Sequence, residues 1–131
     1  MYKYCQIIAV FALVLAAGCG SKSVNVNEEF DPTNKGDEEV LVFAVRDGDS
    51  AVVEQYLKQY PEIATQRDST GNTMLHHAAM GGQVGIAKML LDAGADINAY
   101  NRDDLTPLGA AIDRKAEPDM IEFLESKGGV E

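Results

Sequence analysis

The fold is decided by residues 68–82, DSTGNTMLHHAAMGG, and by residues 84–99, VGIAKMLLDAGADINA. In the first part, Leu75, Ala78 and Ala79 fall on one face of a helix, because side chains three or four positions apart are neighbours on its surface. The second part supplies a wider apolar face, formed by Ile86, Ala87, Met89, Leu90 and Leu91. This spacing is typical of amphipathic helices. The stretch therefore predicts two short consecutive helices, each with an apolar side.

The same pattern occurs three times along the chain. It returns as NRDDLTPLGAAI at residues 101–112, followed by MIEFL at residues 120–124. A looser copy comes first, as LVFAVRDGD at residues 41–49 and VVEQYL at residues 52–57. One such unit is too small to bury its apolar side alone, so about three units must stack to form a core. The sequence therefore predicts an all-α repeat solenoid of about three stacked units.

Turn and cap residues support the predicted helix boundaries. Thr106 places a hydroxyl at a helix N-cap, and Pro107 takes the first helical position, where its missing N–H costs nothing. Gly82 fits a helix end, because glycine adopts the left-handed conformation that is common there. Asp104 stands where the middle copy has Gly71, and aspartate tolerates the left-handed region better than most residues.

Residues 37–131 resemble the ankyrin repeat, and TMLH at 73–76 and GADIN at 94–98 carry the resemblance. It implies a turn and two antiparallel helices in each repeat, with repeats at about 37–67, 68–100 and 101–131. It also implies that His76 hydrogen-bonds backbone between repeats. Gly109 stands in place of this histidine in the last repeat. We therefore expect the last repeat to lack the bond and to be the least stable.

The N-terminus has the layout of a secretory signal. Lys3 precedes an uncharged apolar run at residues 7–17, and small residues follow in LAAGC at 15–19. Such a run is too short to span a bilayer, which needs about 20 apolar residues. The segment resembles a bacterial lipoprotein signal, although Ala16 stands where that family usually has leucine. The alternatives are an ordinary secretory signal and an uncleaved anchor.

The lipoprotein resemblance implies a signal peptide at residues 1–18 and a lipid on Cys19, which becomes the mature N-terminus. Residues 19–36 are mostly polar, without helical or strand periodicity, and we interpret them as the lipidated cysteine and a flexible tether. Gly20, rather than aspartate, follows the cysteine. In enteric-type lipoproteins this implies the outer membrane. We therefore expect a lipid-anchored protein of the bacterial cell envelope, at the outer membrane and facing the periplasm.

Charge and cysteine usage narrow the range of partners. Removal of the signal takes away Lys3 and no acid, so the formal charge goes from −10 to −11. This acidity argues against nucleic acid and against electrostatic binding to anionic lipid, because both would be repelled. It permits a basic protein partner. Cys5 leaves with the signal and Cys19 carries the lipid, so no disulfide is expected and packing alone must hold the domain.

The sequence offers no clear catalytic centre. The two histidines, His76 and His77, are adjacent, and their side chains on a helix point about 100° apart, so they are unable to share a metal ion. The sequence has neither a nucleophile elbow nor a phosphate-binding glycine loop. We interpret the acidic pairs at 38–39 and 103–104 as solvated surface and turn residues. We therefore expect no enzyme, cofactor, metal or small-molecule substrate, and an enzyme that uses His77 is the remaining catalytic hypothesis.

The ankyrin resemblance implies protein binding through the loop tips and the inner-helix face. By position, the candidate binding residues are Phe43, Arg46, Arg67, Ser69, Thr70, His77, Met80, Tyr100, Arg102, Asp103, Asp113 and Arg114. We expect His77 to lie on the exposed face of its helix, where it could contact a partner or titrate. Tyr100 is the strongest candidate, because tyrosine often anchors interfaces and an aromatic side chain at a loop tip has little packing role.

These observations predict a lipid-anchored protein that binds an unidentified protein partner. In one hypothesis it neutralises or protects that partner, as an immunity protein does. In the alternative it is an accessory factor that stabilises an envelope enzyme.

Overall fold

The computed structural model describes residues 35–131, and it describes side chains from residue 38 onward. The signal peptide, Cys19 and nearly all of the tether lie outside these residues. The described part contains six α-helices, namely α1 Lys35–Asp47, α2 Ser50–Gln59, α3 Met74–Met80, α4 Val84–Asp92, α5 Pro107–Asp113 and α6 Pro118–Ser126. A 3₁₀ helix at Pro61–Ala64 follows α2, and no strand occurs in this part of the chain beyond one isolated β-bridge.

The helices form three consecutive pairs that stack side by side. Within each pair the first helix packs on the second, and between pairs α1 contacts α3 and α3 contacts α5. The second helices form another layer, in which α2 contacts α4 and α4 contacts α6. This arrangement confirms the predicted all-α repeat solenoid. In the part of the chain that the structure describes, no helix combines the length and apolar character needed to cross a bilayer.

The core follows the predicted apolar faces. Leu75 and Leu90 are fully buried, and so are the alanines at 78 and 79. Small side chains at these positions let α1 and α5 approach α3 from both sides. The packing is close at Gly81, just after α3, where an added Cβ would lie 2.9 Å from the backbone oxygen of Arg46.

Equivalent positions show which face each repeat buries against the next. Val45 and Ala79 are both fully buried, whereas Ile112, at the same place in α5, is 39% exposed. In the first two repeats the following repeat covers this face. In the third repeat no further helix pair follows among the described residues to cover it. The large isoleucine therefore leaves an apolar area on the C-terminal side of the stack.

The left-handed backbone positions recur with the repeat. Gly71 has φ +81° and its counterpart Asp104 has φ +57°, which confirms that Asp104 takes over the turn of the glycine. Gly82 ends α3 with φ +70°, as the sequence predicts. Lys115 has φ +55° at the equivalent place after α5, where a residue with a Cβ carries a steric cost.

Pro61 explains why the first helix pair ends differently from the others. It stands where Gly94, with φ +101°, ends the second pair. Proline is confined to φ near −65°, so the chain takes another path after α2. The result is the 3₁₀ helix Pro61–Ala64, whose Ile63 and Ala64 are buried in the core.

His76 joins the second repeat to the third. Its Nδ1 accepts hydrogen bonds from the backbone N–H of Thr73, at 3.2 Å, and from the Thr73 hydroxyl, at 2.9 Å. Because Nδ1 accepts, the ring proton lies on Nε2, which donates to the Leu105 carbonyl oxygen at 2.9 Å. The side chain is fully buried. This bond confirms the inter-repeat role that the sequence resemblance implies.

The third repeat replaces the missing histidine bond with its own C-terminal residues. The Thr106 hydroxyl accepts from the N–H of Gly109 at 3.1 Å and donates to the carbonyl oxygen of Val130. Asn98 holds the same segment, because its Oδ1 accepts from the N–H of Val130 at 3.0 Å and its Nδ2 donates to the Gly128 oxygen at 3.3 Å. The lower stability of this repeat stays a prediction.

We expect His76 to make the stability of the domain depend on pH. Burial, the largest cause, lowers the pKa of His76 from its usual 6.5, despite the hydrogen bond to Leu105, which raises it. The unfolded chain therefore binds more protons below pH 6.5, so the stability contributed by neutral His76 is complete above that pH and falls as the pH drops.

Urea unfolding at pH 7.5, 6.5 and 5.5 measures this effect in the natural protein and in His76→Gln. The free energy of unfolding should fall more steeply with decreasing pH in the natural protein, by at most about 1.4 kcal/mol per pH unit for one proton. Groups that are common to both proteins and distant from His76 cancel in the comparison. Equal slopes would show that the pKa of His76 does not differ between the folded and unfolded states.

Candidate functional site

A concavity lies along the exposed face of α1 and the loop before α3, which we call the first loop; the loop before α5 is the second loop. Its α1 side consists of two adjacent rows of side chains, and within each row the residues lie four positions apart. One row is Glu38, Val42 and Arg46, and the other is Glu39, Phe43 and Asp47. Asp68 and Ser69, in the loop before α3, and Gly81, just after α3, complete the lining. The concavity has a volume of about 680 Å³. It is large enough to receive several side chains of a partner.

The length of α1 explains why this concavity is open. α1 has 13 residues, whereas α3 and α5 have seven each. When Leu41 is aligned with Leu75, the extra residues 35–39 of α1 correspond to the loop that precedes α3. In the second repeat this loop begins with Asp68, which covers the inner helix, and the counterpart of Asp68 in the first repeat, Asn34, lies outside the described residues. In the first repeat helix replaces loop, so the middle of α1 is left uncovered within the described residues.

Three equivalent inner-helix positions show the consequence. Phe43 is 70% exposed, whereas His77 is only 7% exposed and Ala110 is 2% exposed. The expectation that His77 lies on an exposed face is therefore wrong, because the Asp68 loop folds over the ring. Phe43 is exposed as a binding residue must be, and its contact with a partner stays a prediction.

Asp68 and His77 form a buried pair beneath the first loop. His77 Nε2 lies 2.6 Å from Asp68 Oδ2, and both side chains are about nine-tenths buried. An ionised carboxylate only accepts hydrogen bonds, so Nε2 is the donor. His77 Nδ1 is then buried without a hydrogen-bond partner among the described residues. His77 therefore holds the loop in position through Asp68, and its ring is not an exposed catalytic group.

The other oxygen of Asp68 closes the loop. Asp68 Oδ1 accepts from the N–H of Thr70 at 2.8 Å, the N–H of Asn72 at 2.9 Å and the Thr70 hydroxyl at 2.6 Å. Burial raises the pKa of Asp68, but hydrogen bonds from Thr70, His77 and Asn72 outweigh it and hold the pKa below its usual 3.8. Asp68 is therefore ionised and rigid at neutral pH. Thr70, a candidate binding residue, uses its hydroxyl inside the loop.

The second loop repeats the first and is tied to it. Asn101 Oδ1 accepts from the N–H groups of Asp103, at 2.9 Å, and Leu105, at 3.0 Å. Asn101 Nδ2 donates to Asn72 Oδ1 at 2.9 Å, which joins the two loops directly. These contacts make the two loops one continuous edge next to the inner helices.

Arg67 adds a second tie between the loops. Its guanidinium Nη1 donates to the Gly71 oxygen at 3.3 Å and to the carbonyl oxygen of Tyr100. This candidate binding residue therefore holds backbone in place, although its side chain is exposed. The Tyr100 ring projects from the second loop and is 52% exposed, which agrees with an aromatic that has little packing role.

The structure gathers only some of the sequence candidates. Phe43, Arg46 and Ser69 lie together in the concavity. Met80 is half-buried, and the exposed candidates outside the lining are Arg67, Thr70, Tyr100, Arg102, Asp103, Asp113 and Arg114. The binding roles of all these residues stay predictions.

Sequence reasoning missed the acidic side of the concavity. The acidic lining residues are Glu38, Glu39, Asp47 and Asp68, whereas the sequence pattern alone indicates solvated surface for the two glutamates. The available signal was the four-residue spacing from Glu39 to Phe43 and from Phe43 to Asp47, which places all three on one helix face. No three His, Cys, Asp or Glu side chains among residues 38–131 are grouped as a metal site would require.

Comparisons with known proteins agree on the repeat. A family model described as ankyrin repeats, in three copies, matches residues 9–101 and 41–130. The serine/threonine-protein kinase VIK of Arabidopsis thaliana is 31% identical over 115 residues, which cover 88% of this chain and 26% of the kinase. The Neurogenic locus Notch protein of Drosophila melanogaster is 42% identical over 66 residues, which cover 50% of this chain and 2% of that protein. The chain thus spans about a quarter or less of these relatives.

One solved structure has a similar fold, and its sequence identity is close to that of the kinase. It is the complex of the Bd0816 predatory endopeptidase from Bdellovibrio bacteriovorus with the immunity protein Bd3460. The match has a TM-score of 0.63 and 32% identity, and it covers 69% of this chain and 46% of the matched chain.

A double-mutant cycle tests the Asp68–His77 pair. We expect Asp68→Asn and His77→Ala each to destabilise the domain by about 1–3 kcal/mol, because each leaves a buried polar group unpaired. The double variant should lose less than the sum, with a coupling of about 0.5–3 kcal/mol in urea unfolding.

The matched control is the cycle on Asp113 and Arg114, whose charged groups lie 3.9 Å apart on the surface. Its coupling should be close to zero, because exposed pairs are screened by water and salt. An equally small coupling for Asp68 and His77 would contradict the buried pair.

Proposed function

Because the chain belongs to the ankyrin-repeat family, we propose that it is a lipid-anchored bacterial envelope protein that binds another protein and neutralises or protects it. Ankyrin repeats are a protein-interaction module. The observation that carries the proposal is the concavity on the first repeat, where Phe43 is exposed on an inner helix whose equivalents are buried. The 32% identity to a chain of the solved complex between an endopeptidase and an immunity protein supports the neutralising role.

The geometry favours binding over chemistry. The two tied loops and the inner helices form a continuous surface whose backbone is fixed by side-chain hydrogen bonds. A surface fixed in this way loses little conformational entropy on binding. His77, on which the catalytic hypothesis depended, is buried against Asp68. We therefore propose that the protein acts by occupying a surface of its partner and catalyses no reaction.

The envelope location rests on the sequence of the N-terminus. LAAGC at residues 15–19 follows an uncharged apolar run, and the tether separates it from the repeats. We propose that a lipid on Cys19 holds the repeat domain at the outer membrane, facing the periplasm. There it would meet partners during or after their export.

Substitution of the acylated residue tests the anchor. We expect Cys19→Ala to block processing, because the lipid is added to the cysteine thiol, and to leave a precursor of higher mass. Mass spectrometry and membrane fractionation of cells that express the full chain measure both effects. Release of normally cut, soluble protein from the Cys19→Ala variant would contradict the proposal, and Ser21→Ala serves as the control.

Binding is tested by photocrosslinking from position 43 in cells that express the lipid-anchored protein. The captured partner is identified by mass spectrometry and purified. Its activity is then measured with increasing amounts of this protein. Stoichiometric loss of activity supports neutralisation. An increase in activity or lifetime supports the accessory role instead.

Variants then locate the interface on the identified partner. We expect Phe43→Ala, Tyr100→Ala and Arg102→Ala to weaken binding, with losses of about 2 kcal/mol, or some thirtyfold in affinity, at a true anchor. Lys88→Ala on α4 and Glu122→Ala on α6 are exposed controls on the outer helices and should change little. Melting temperatures should stay nearly constant, because all five side chains are exposed. Equal losses of affinity in the Phe43, Tyr100 and Arg102 variants and in the two control variants would place the interface elsewhere.

A further inference from the structure

Resting on the proposed protein-binding function, we infer that the concavity receives a lysine or arginine side chain of the partner, together with a neighbouring apolar side chain. Its lining carries four carboxylate side chains and one cation. Asp68 is committed to its loop, and the carboxylates of Glu38, Glu39 and Asp47 form no ion pair within the described residues. Among residues 38–131, the concavity therefore has an excess of negative charge.

The order of side chains along α1 fits such a ligand. Glu39, Phe43 and Asp47 follow one another at four-residue intervals, so an aromatic ring stands between two carboxylates on one helix face. The carboxylate positions are about 12 Å apart along the axis, from a rise of about 1.5 Å per residue. A basic side chain can lay its methylene groups on the ring and direct its charged end to either carboxylate.

The apolar part of the ligand follows from Phe43 and Val42. Phe43 is 70% exposed and Val42 is half-buried beside it. An apolar residue next to the lysine or arginine of the partner would cover this ring and remove it from water. The carboxylates at the rim then favour apolar segments that also carry a positive charge, because complementary potentials favour one partner over others.

A neutral or acidic segment fits the concavity poorly. Docking of such a segment would remove Glu39 and Asp47 from water without providing a positive charge in return. Burial of a carboxylate without a partner is strongly unfavourable. Arg46 is the single cation in the lining, and it does not offset the four carboxylates. The chemistry of the surface thus favours a basic segment with an adjacent apolar residue.

The experiment selects a library of random linear heptapeptides, displayed on phage, against the full chain. We expect the bound pool to be enriched in lysine or arginine next to leucine, isoleucine or phenylalanine. The affinity of the most enriched peptide is then measured by fluorescence anisotropy. It should fall about tenfold or more in Phe43→Ala and in the double variant Glu39→Gln, Asp47→Asn.

Matched controls separate the concavity from general charge and hydrophobicity. Glu122→Gln with Glu125→Gln removes the same charge from exposed positions on α6, and Val130→Ala removes exposed apolar surface outside the lining. Both should change the affinity less than about twofold, since surface substitutions away from a contact are nearly neutral. Replacement of the basic residue in the peptide by norleucine should weaken binding as much as the double variant does.

The outcomes distinguish this inference from the proposed function. A bound pool without an excess of lysine or arginine overturns the inference, as do control variants that lose as much affinity as the concavity variants. If basic peptides bind as expected but the captured partner keeps its activity, neutralisation fails and the inference stands. If the partner is neutralised but only acidic or neutral peptides bind, the inference fails and neutralisation stands.

Discussion

The structure depends on one buried polar side chain, His76, which is satisfied at both ring nitrogens. Thr73 donates to Nδ1 at the start of α3, and Nε2 donates to Leu105 in the next repeat. A buried imidazole without these partners would be costly, so the bonds fix where α3 begins and how the third repeat docks. The third repeat has no histidine, and Thr106 bonds to Val130 instead. The C-terminal residues thereby help to hold the end of the stack.

The same fixed loops shape the candidate site. Asn101 and Arg67 join the first loop to the second, and Asp68 clamps the first loop over His77. The second repeat therefore presents a closed inner helix. The first repeat does not, because α1 is helical where the later repeats have a loop. The open concavity is a direct result of this exchange of loop for helix, and it leaves Phe43 available to a partner.

A protein that binds without chemistry needs a rigid surface and a source of selectivity. The hydrogen-bonded loops supply the rigidity. The alternation of Glu39, Phe43 and Asp47 is the proposed source of selectivity, because it combines negative charge with apolar area. The alternating side chains lie on the first repeat and the tied loops begin the second and third repeats, and the third repeat also exposes Ile112 and Val130. The family, the fold and this surface together favour recognition of a protein, and the proposed lipid on Cys19 would restrict that recognition to the envelope.

The sequence by itself determined the number of repeats, the helix faces and the caps, because these depend on spacing along the chain. Leu75, Leu90, Thr106, Gly82 and Asp104 all have the predicted roles. The exposure of His77 was predicted wrongly, and the acidic lining at Glu38, Glu39 and Asp68 was missed. Only the tertiary structure decided these points, because the cover over an inner helix comes from a loop of the same repeat. Helical periodicity gives the direction of a side chain, and the packing of other segments decides whether it reaches solvent.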